Sequence, residues 1–154
     1  MITIADTLAT DRIALGLAAS DHHAAIRLVA DLLQNVSDVL HWPLLYEGMC
    51  KSWPCLAESD GDFAICLPHA RTDAVSAMVM SIGRFDAGVS FPDCPQPVRY
   101  VFCIGVPKAM ANDYLRIVGL LVRILRESAA ESELRTATTP GKFLTRLSAL
   151  EAKL

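Results

Sequence analysis

The segment Phe63-Ala64-Ile65-Cys66-Leu67-Pro68-His69-Ala70-Arg71 concentrates the chemistry: an apolar run meets a proline, then presents an imidazole and, two positions on, a guanidinium. Proline has no backbone N–H, so Pro68 is expected to end sheet pairing, with His69 following where the chain leaves the sheet. In open α/β sheets, ligands and reactive groups gather at such strand ends. A neutral imidazole keeps a lone pair on one ring nitrogen and is a nucleophile near neutral pH. Its other nitrogen donates to a nearby oxygen, which fixes tautomer and orientation. Phosphoryl transfer asks for little more, because its charge is spread over three oxygens in a loose transition state and catalysis is mostly positioning and donors. Arg71 and the N–H groups after Pro68 are the local donors. No Walker-type glycine loop is present, so nucleotide hydrolysis has no support. On residue types alone, His69 reads equally well as a structural histidine at a strand end, and Arg71 as a solvated charge.

The cysteines offer a rival chemistry. Cys50-x4-Cys55-x10-Cys66-x2-His69 contains four residue types that ligate zinc. The spacing matches no common finger, and alternation along a strand turns Cys66 inward, so no metal or other cofactor is assigned. The five cysteines, with Cys94 and Cys103, are expected to be reduced thiols, most of them small buried hydrophobes. His22 and His23 open a helix and His41 precedes Trp42; each reads as an exposed or capping residue.

The elements that must position His69 are legible from periodicity. Residues 12–18 read as a short first strand. Ser20 is an N-cap for a helix to about Gln34, with Ala25, Leu28, Val29, Leu32 and Leu33 on its apolar face. Trp42-Pro43 starts a second helix that runs to about Lys51. Glu58-Ser59-Asp60-Gly61-Asp62 is a turn by composition. Strands are expected at 63–68, 75–83 and 98–106, the last two separated by a segment carrying Pro92, Pro95 and Pro97. An amphipathic helix follows at about 110–127, and Thr139-Pro140-Gly141 starts a final helix with Leu144, Leu147 and Leu150 on one face. Helices before, between and after strands predict an α/β fold: one three-layer α/β/α domain over residues 1–154, with a mixed central sheet of about five strands.

Composition narrows the partners. At 154 residues, 53% hydrophobic and 20% charged, the chain can bury a sizeable core and is not disordered by composition. A net charge of −3 argues against nucleic acid as the main partner. No stretch reaches the roughly 18 apolar residues of a membrane span. The start, Met1-Ile2-Thr3-Ile4-Ala5-Asp6, lacks the basic and apolar blocks of a secretory signal, so a cytoplasmic protein is the expectation.

The apolar run ending in Pro-His-Ala-Arg resembles the active-site segment of fructose/mannitol-type IIA components (type 2) of the bacterial sugar phosphotransferase system, nitrogen-regulatory IIA-like proteins included. The first strand at Arg12, the region from Ser81 through Phe102 and the helix from Asn112 are similar at the level of pattern. The resemblance implies a phosphoryl carrier. His69 would accept phosphate from HPr or a nitrogen-branch paralogue, and pass it to a IIB component or use it to signal to a regulated protein. Two departures stand out. The family's Arg-Glu near the end of the second helix falls on Trp53-Pro54, and its second histidine falls on Tyr114, which can donate a hydrogen bond but brings no positive charge. Lys51, two positions before Trp53, reads as a solvated helix end. With Trp53, Phe63 and Tyr114 expected near the His69 face, the alternative is a degenerate regulatory module that binds proteins and transfers little or no phosphate. The sugar and the oligomeric state stay open, a homodimer included.

Overall fold

The β-branched and aromatic run Val98–Val106 forms β6, the strand around which the sheet is built; all of it except Arg99 is buried in the computed structural model, which describes residues 1–154. β5 (Val79–Val89) pairs antiparallel on one side of β6, and β1 (Ile13–Ala14) extends that side in parallel. On the other side β3 (Ala64–Cys66) and β4 (His69–Arg71) both run parallel to β6, as two pieces of one interrupted strand. β2 (Cys55–Ala57) closes that edge antiparallel to β3, giving the order β1-β5-β6-β3-β2.

Alternation along the strands divides the interior in two. One face carries Ile65, Leu67, Met80, Ile82, Tyr100, Phe102 and Ile104, covered by α3 (Ala111–Arg126), α4 (Ser128–Arg135) and α5 (Pro140–Ala152). The other carries Cys66, Val79, Phe85, Val101 and Cys103, covered by α1 (His22–Ala30) and α2 (Trp42–Lys51). This is the three-layer α/β/α arrangement with a mixed sheet.

Several local readings change. Pro68 interrupts the strand without ending it: its carbonyl still accepts from Ile104 N–H at 2.9 Å, and β4 resumes pairing at once, so His69 lies on the sheet. Proline removes only a donor, and one missing donor does not release the chain. The first strand shortens to two residues because Gly16 adopts a left-handed φ of +65°. The α1 cap is Asp21, whose carboxylate accepts from Ala24 N–H at 2.8 Å. The helix stops at Ala30, followed by a 3₁₀ turn at Asp31–Leu33. β5 starts at Val79 and runs to Val89. The helix expected at 110–127 ends at Arg126, where extended Glu127 separates it from α4.

Two features hold the layers together, the first of them beside His69. Gly48 of α2 lies against β4 so closely that a Cβ there would stand 2.5 Å from Ala70 Cβ. Buried Arg84 of β5 reaches past the end of α4, donating to the carbonyls of Leu134 (2.8 Å) and Ala137 (2.7 Å), with Asp86 accepting from its Nε at 2.7 Å. A guanidinium thereby adds a charged donor to carbonyls at a helix end.

Candidate functional site

His69 opens β4, and its half-buried ring lies on the α3 side of the sheet. Its Nδ1 is 2.8 Å from the carbonyl oxygen of Leu67. A carbonyl only accepts, so Nδ1 carries the proton and Nε2 keeps the lone pair. Tyr114, in the first turns of α3, stacks on the imidazole with centroids 4.8 Å apart and planes 25° from parallel. Burial pushes the Tyr114 phenol above its ordinary range, so it stays a neutral O–H at physiological pH. α3 has no side-chain cap at its N-terminus, and that end, where helix amides and the macrodipole favour an anion, faces the histidine through Tyr114.

Cations collect at the same end of the sheet. Arg71 follows His69 by two residues on β4, hence on the same face, and is exposed. Lys108, just beyond β6, was not singled out by the sequence. It pairs with Asp73 at 3.3 Å, bringing a second cation to the strand ends. Lys51 is instead engaged along its own helix with Glu47 at 2.8 Å.

The edge beside His69 corrects the reading of Trp53. Leu67 N–H donates to Pro54 O (2.9 Å) and His69 N–H to Ser52 O (3.0 Å), so residues 52–54 continue β2 as an antiparallel edge past the histidine. Ser52 lies opposite His69 and shares its face; Trp53 therefore points to the other. Its indole meets His22 (5.2 Å between centroids) and Phe91 (6.0 Å) on the α1 side. Phe63 lies toward the far end of β3, under Arg99 and edge-on to Tyr100. Of the three aromatics expected at the site, only Tyr114 is there. Counting along the chain put Trp53 near His69 correctly but could not assign its face, which turns on a one-residue parity. The half-buried Ser52 is the polar side chain that parity puts there, and it was overlooked because no motif marks it.

The rival metal arrangement does not assemble. Cys66 belongs to the α1/α2 side and His69 to the α3 side, while Cys50 is exposed on α2. No three His, Cys, Asp or Glu side chains are grouped to hold an ion. His41 is a cap, its Nδ1 accepting from Leu44 N–H at 3.1 Å, and His22 and His23 lie against each other at the start of α1.

Comparison with known proteins places the chain in a family. The family model described as "Phosphoenolpyruvate-dependent sugar phosphotransferase system, EIIA 2" matches residues 6–149. The chain belongs to this EIIA family. A curated relative, the PTS system fructose-specific EIIA component of Haloferax volcanii, is 38% identical over 77 residues, covering 46% of this chain and 50% of the relative; the match thus spans half of that protein's length. Among solved structures, the nitrogen regulatory protein IIA-Ntr from Neisseria meningitidis superposes with a TM-score of 0.79 at 19% identity, covering 94% of this chain and 98% of that one. The enzyme IIA for mannitol from Escherichia coli, solved in complex with its phosphorylated enzyme IIB, superposes with a TM-score of 0.71 at 21% identity over 92% and 97% of the two chains. These structures share the EIIA fold with this chain. No helix is long and apolar enough to cross a membrane.

Proposed function

We propose that this EIIA-family chain is a phosphoryl carrier in which His69 Nε2 accepts a phosphoryl group from the phosphohistidine of HPr or a nitrogen-branch paralogue, and yields it to a IIB component or a regulated protein. The observation that carries the reading is the 2.8 Å contact of His69 Nδ1 with Leu67 O, which fixes the tautomer and leaves Nε2 nucleophilic. In the transfer the Nε2–P bond forms as the donor's N–P bond breaks, and the proton stays on Nδ1, donated to Leu67 O. Tyr114 holds the ring plane by stacking; Arg71, the start of α3 and Ser52 supply charge and donors to the phosphoryl oxygens. The setting suits a group delivered by another protein. A cleft of about 520 Å³ lies at the far end of β3, between Phe63, Val122 and Arg126, and His69 does not line it. His69 instead sits beside α3, whose Leu115 is 66% exposed.

The test is incubation with phosphoenolpyruvate, enzyme I and HPr, or the nitrogen-branch set, followed by intact-mass analysis beside a His69→Ala control. The expected result is one acid-labile phosphoryl group, absent from the control. A folded sample that gains none from either donor set overturns the carrier reading.

A further inference from the structure

Two thiols face each other at the sheet edge behind His69. Cys55 of β2 and Cys66 of β3 are direct partners in the antiparallel ladder, and the Cys55 thiol also interacts with that of Cys94 in the loop before β6. Because 54/67 and 52/69 are the hydrogen-bonded pairs on this edge, alternation makes 55/66 a non-hydrogen-bonded pair. Such pairs bring Cα atoms to about 4.5 Å with side chains on one face, inside the roughly 4.4–6.8 Å that a disulfide spans. Both thiols also converge on one oxygen: the carbonyl of Trp53 accepts from Cys66 Sγ at 3.5 Å and from Cys55 Sγ at 4.0 Å.

We infer that Cys55 and Cys66 form a redox-active dithiol that closes under a peroxide and thereby changes the setting of His69. The two thiols differ in exposure and in their hold on the proton. Cys55 is half-buried at the edge, and the neighbouring thiols of Cys66 and then Cys94 hold its thiol below the ordinary range, favouring thiolate. Cys66 is fully buried, and the neighbouring Cys55 sulfur, then its burial, hold it protonated. Peroxide therefore meets Cys55 first: its thiolate breaks the O–O bond and becomes a sulfenic acid, releasing water. Cys66 then attacks the Cys55 sulfur as its proton passes to the departing hydroxide, the S–O bond breaks, and a second water leaves. In total two thiols lose two electrons and two protons, and one peroxide becomes two waters. A thiol reductant reverses the bond by exchange.

The link to His69 is short. Cys66 precedes Leu67, whose carbonyl holds Nδ1, and Trp53 stands between Ser52 and Pro54, whose carbonyls take the N–H groups of His69 and Leu67. Closing the disulfide removes both S–H donors from Trp53 O and draws β2 onto β3 directly under this frame. That coupling is read through the carrier function proposed above; formation of the disulfide is not.

The experiment uses the full chain with exposed Cys50 replaced (Cys50→Ser), treated with hydrogen peroxide and mapped as non-reduced peptides. A Cys55–Cys66 link is expected, retained in Cys94→Ser and lost in Cys55→Ser, a variant that leaves the buried Cys66 in place. Oxidation is expected to shift the ¹⁵N ring resonances of His69 and to slow phosphoryl acceptance by about tenfold or more, in line with what a displacement near 1 Å does to a reacting group; dithiothreitol restores both. No link, or a link to Cys94 instead, overturns the dithiol. A Cys55–Cys66 link that leaves the His69 resonances unmoved overturns the coupling, whether or not the chain accepts phosphate.

Discussion

At the scale of single residues, reactivity rests on which nitrogen of His69 is free and how its ring is held. The Leu67 carbonyl settles the first and the Tyr114 stack the second. A histidine at Tyr114's position would offer a charge; the phenol, kept neutral by burial, offers a plane and an O–H. Stacking, not acid–base chemistry, is therefore assigned to it. Tyr114→Phe keeps the ring and is expected to accept phosphate within about threefold of the parent. Tyr114→Ala frees the imidazole and is expected to lose about tenfold or more, since a loosely oriented nucleophile forfeits near-attack geometry. Rates of phosphorylation by HPr, with His69 ring ¹⁵N shifts as a second readout, separate the two. Equal losses in both variants would move the role to the hydroxyl.

At the scale of elements, the site depends on how tightly α2 and the 52–54 edge hold β4. Gly48 is where this contact leaves no room: a methyl 2.5 Å from Ala70 Cβ has to push helix or strand aside. Gly48→Ala is expected to gain helix propensity yet lose about 1–3 kcal/mol of stability from overpacking, and to slow transfer because Ala70 adjoins His69. Urea unfolding and the phosphorylation assay check it; an unchanged midpoint would mean the layers have slack. The same elements mark how far the sequence could be read. Long periodic segments such as β6, α3 and α5 were legible, because their apolar faces are set by the core. Pro-His singled out His69 for the same reason that Pro68 breaks the strand. What stayed hidden was short or set by parity. β2 has three residues at an open edge and no hydrophobic alternation to show it. The break between α3 and α4 falls at Glu127, which no glycine or proline marks. The face taken by Trp53 follows from hydrogen bonds to Ser52 and Pro54 that only the folded sheet reveals.

At the scale of the whole molecule, the sheet separates two apolar interiors, and both contain protonated acids that burial keeps from ionising. On the α3 side Tyr100, fully buried, donates to Glu131 at 2.7 Å, and burial lifts its phenol well above the ordinary 10.0. On the α1 side Cys103 is buried, and burial raises its thiol far above 9.0. The sign follows from proton counts. Above about pH 9 for the thiol and pH 10 for the phenol, the unfolded chain gives up protons that the native state keeps. Stability therefore falls as pH rises, by about 1.4 kcal/mol per pH unit for each group inside its window. Below pH 9 both groups are protonated in both states and contribute no slope. The urea midpoint is accordingly expected to decline from about pH 9 and more steeply above pH 10. Tyr100→Phe separates the phenol's part. It leaves Glu131 without one buried donor, at about 1–3 kcal/mol near neutral pH, but removes Tyr100's share of the added steepness above pH 10. A midpoint that holds level to pH 11 would mean that water reaches these groups, and that the sheet does not divide two dry interiors.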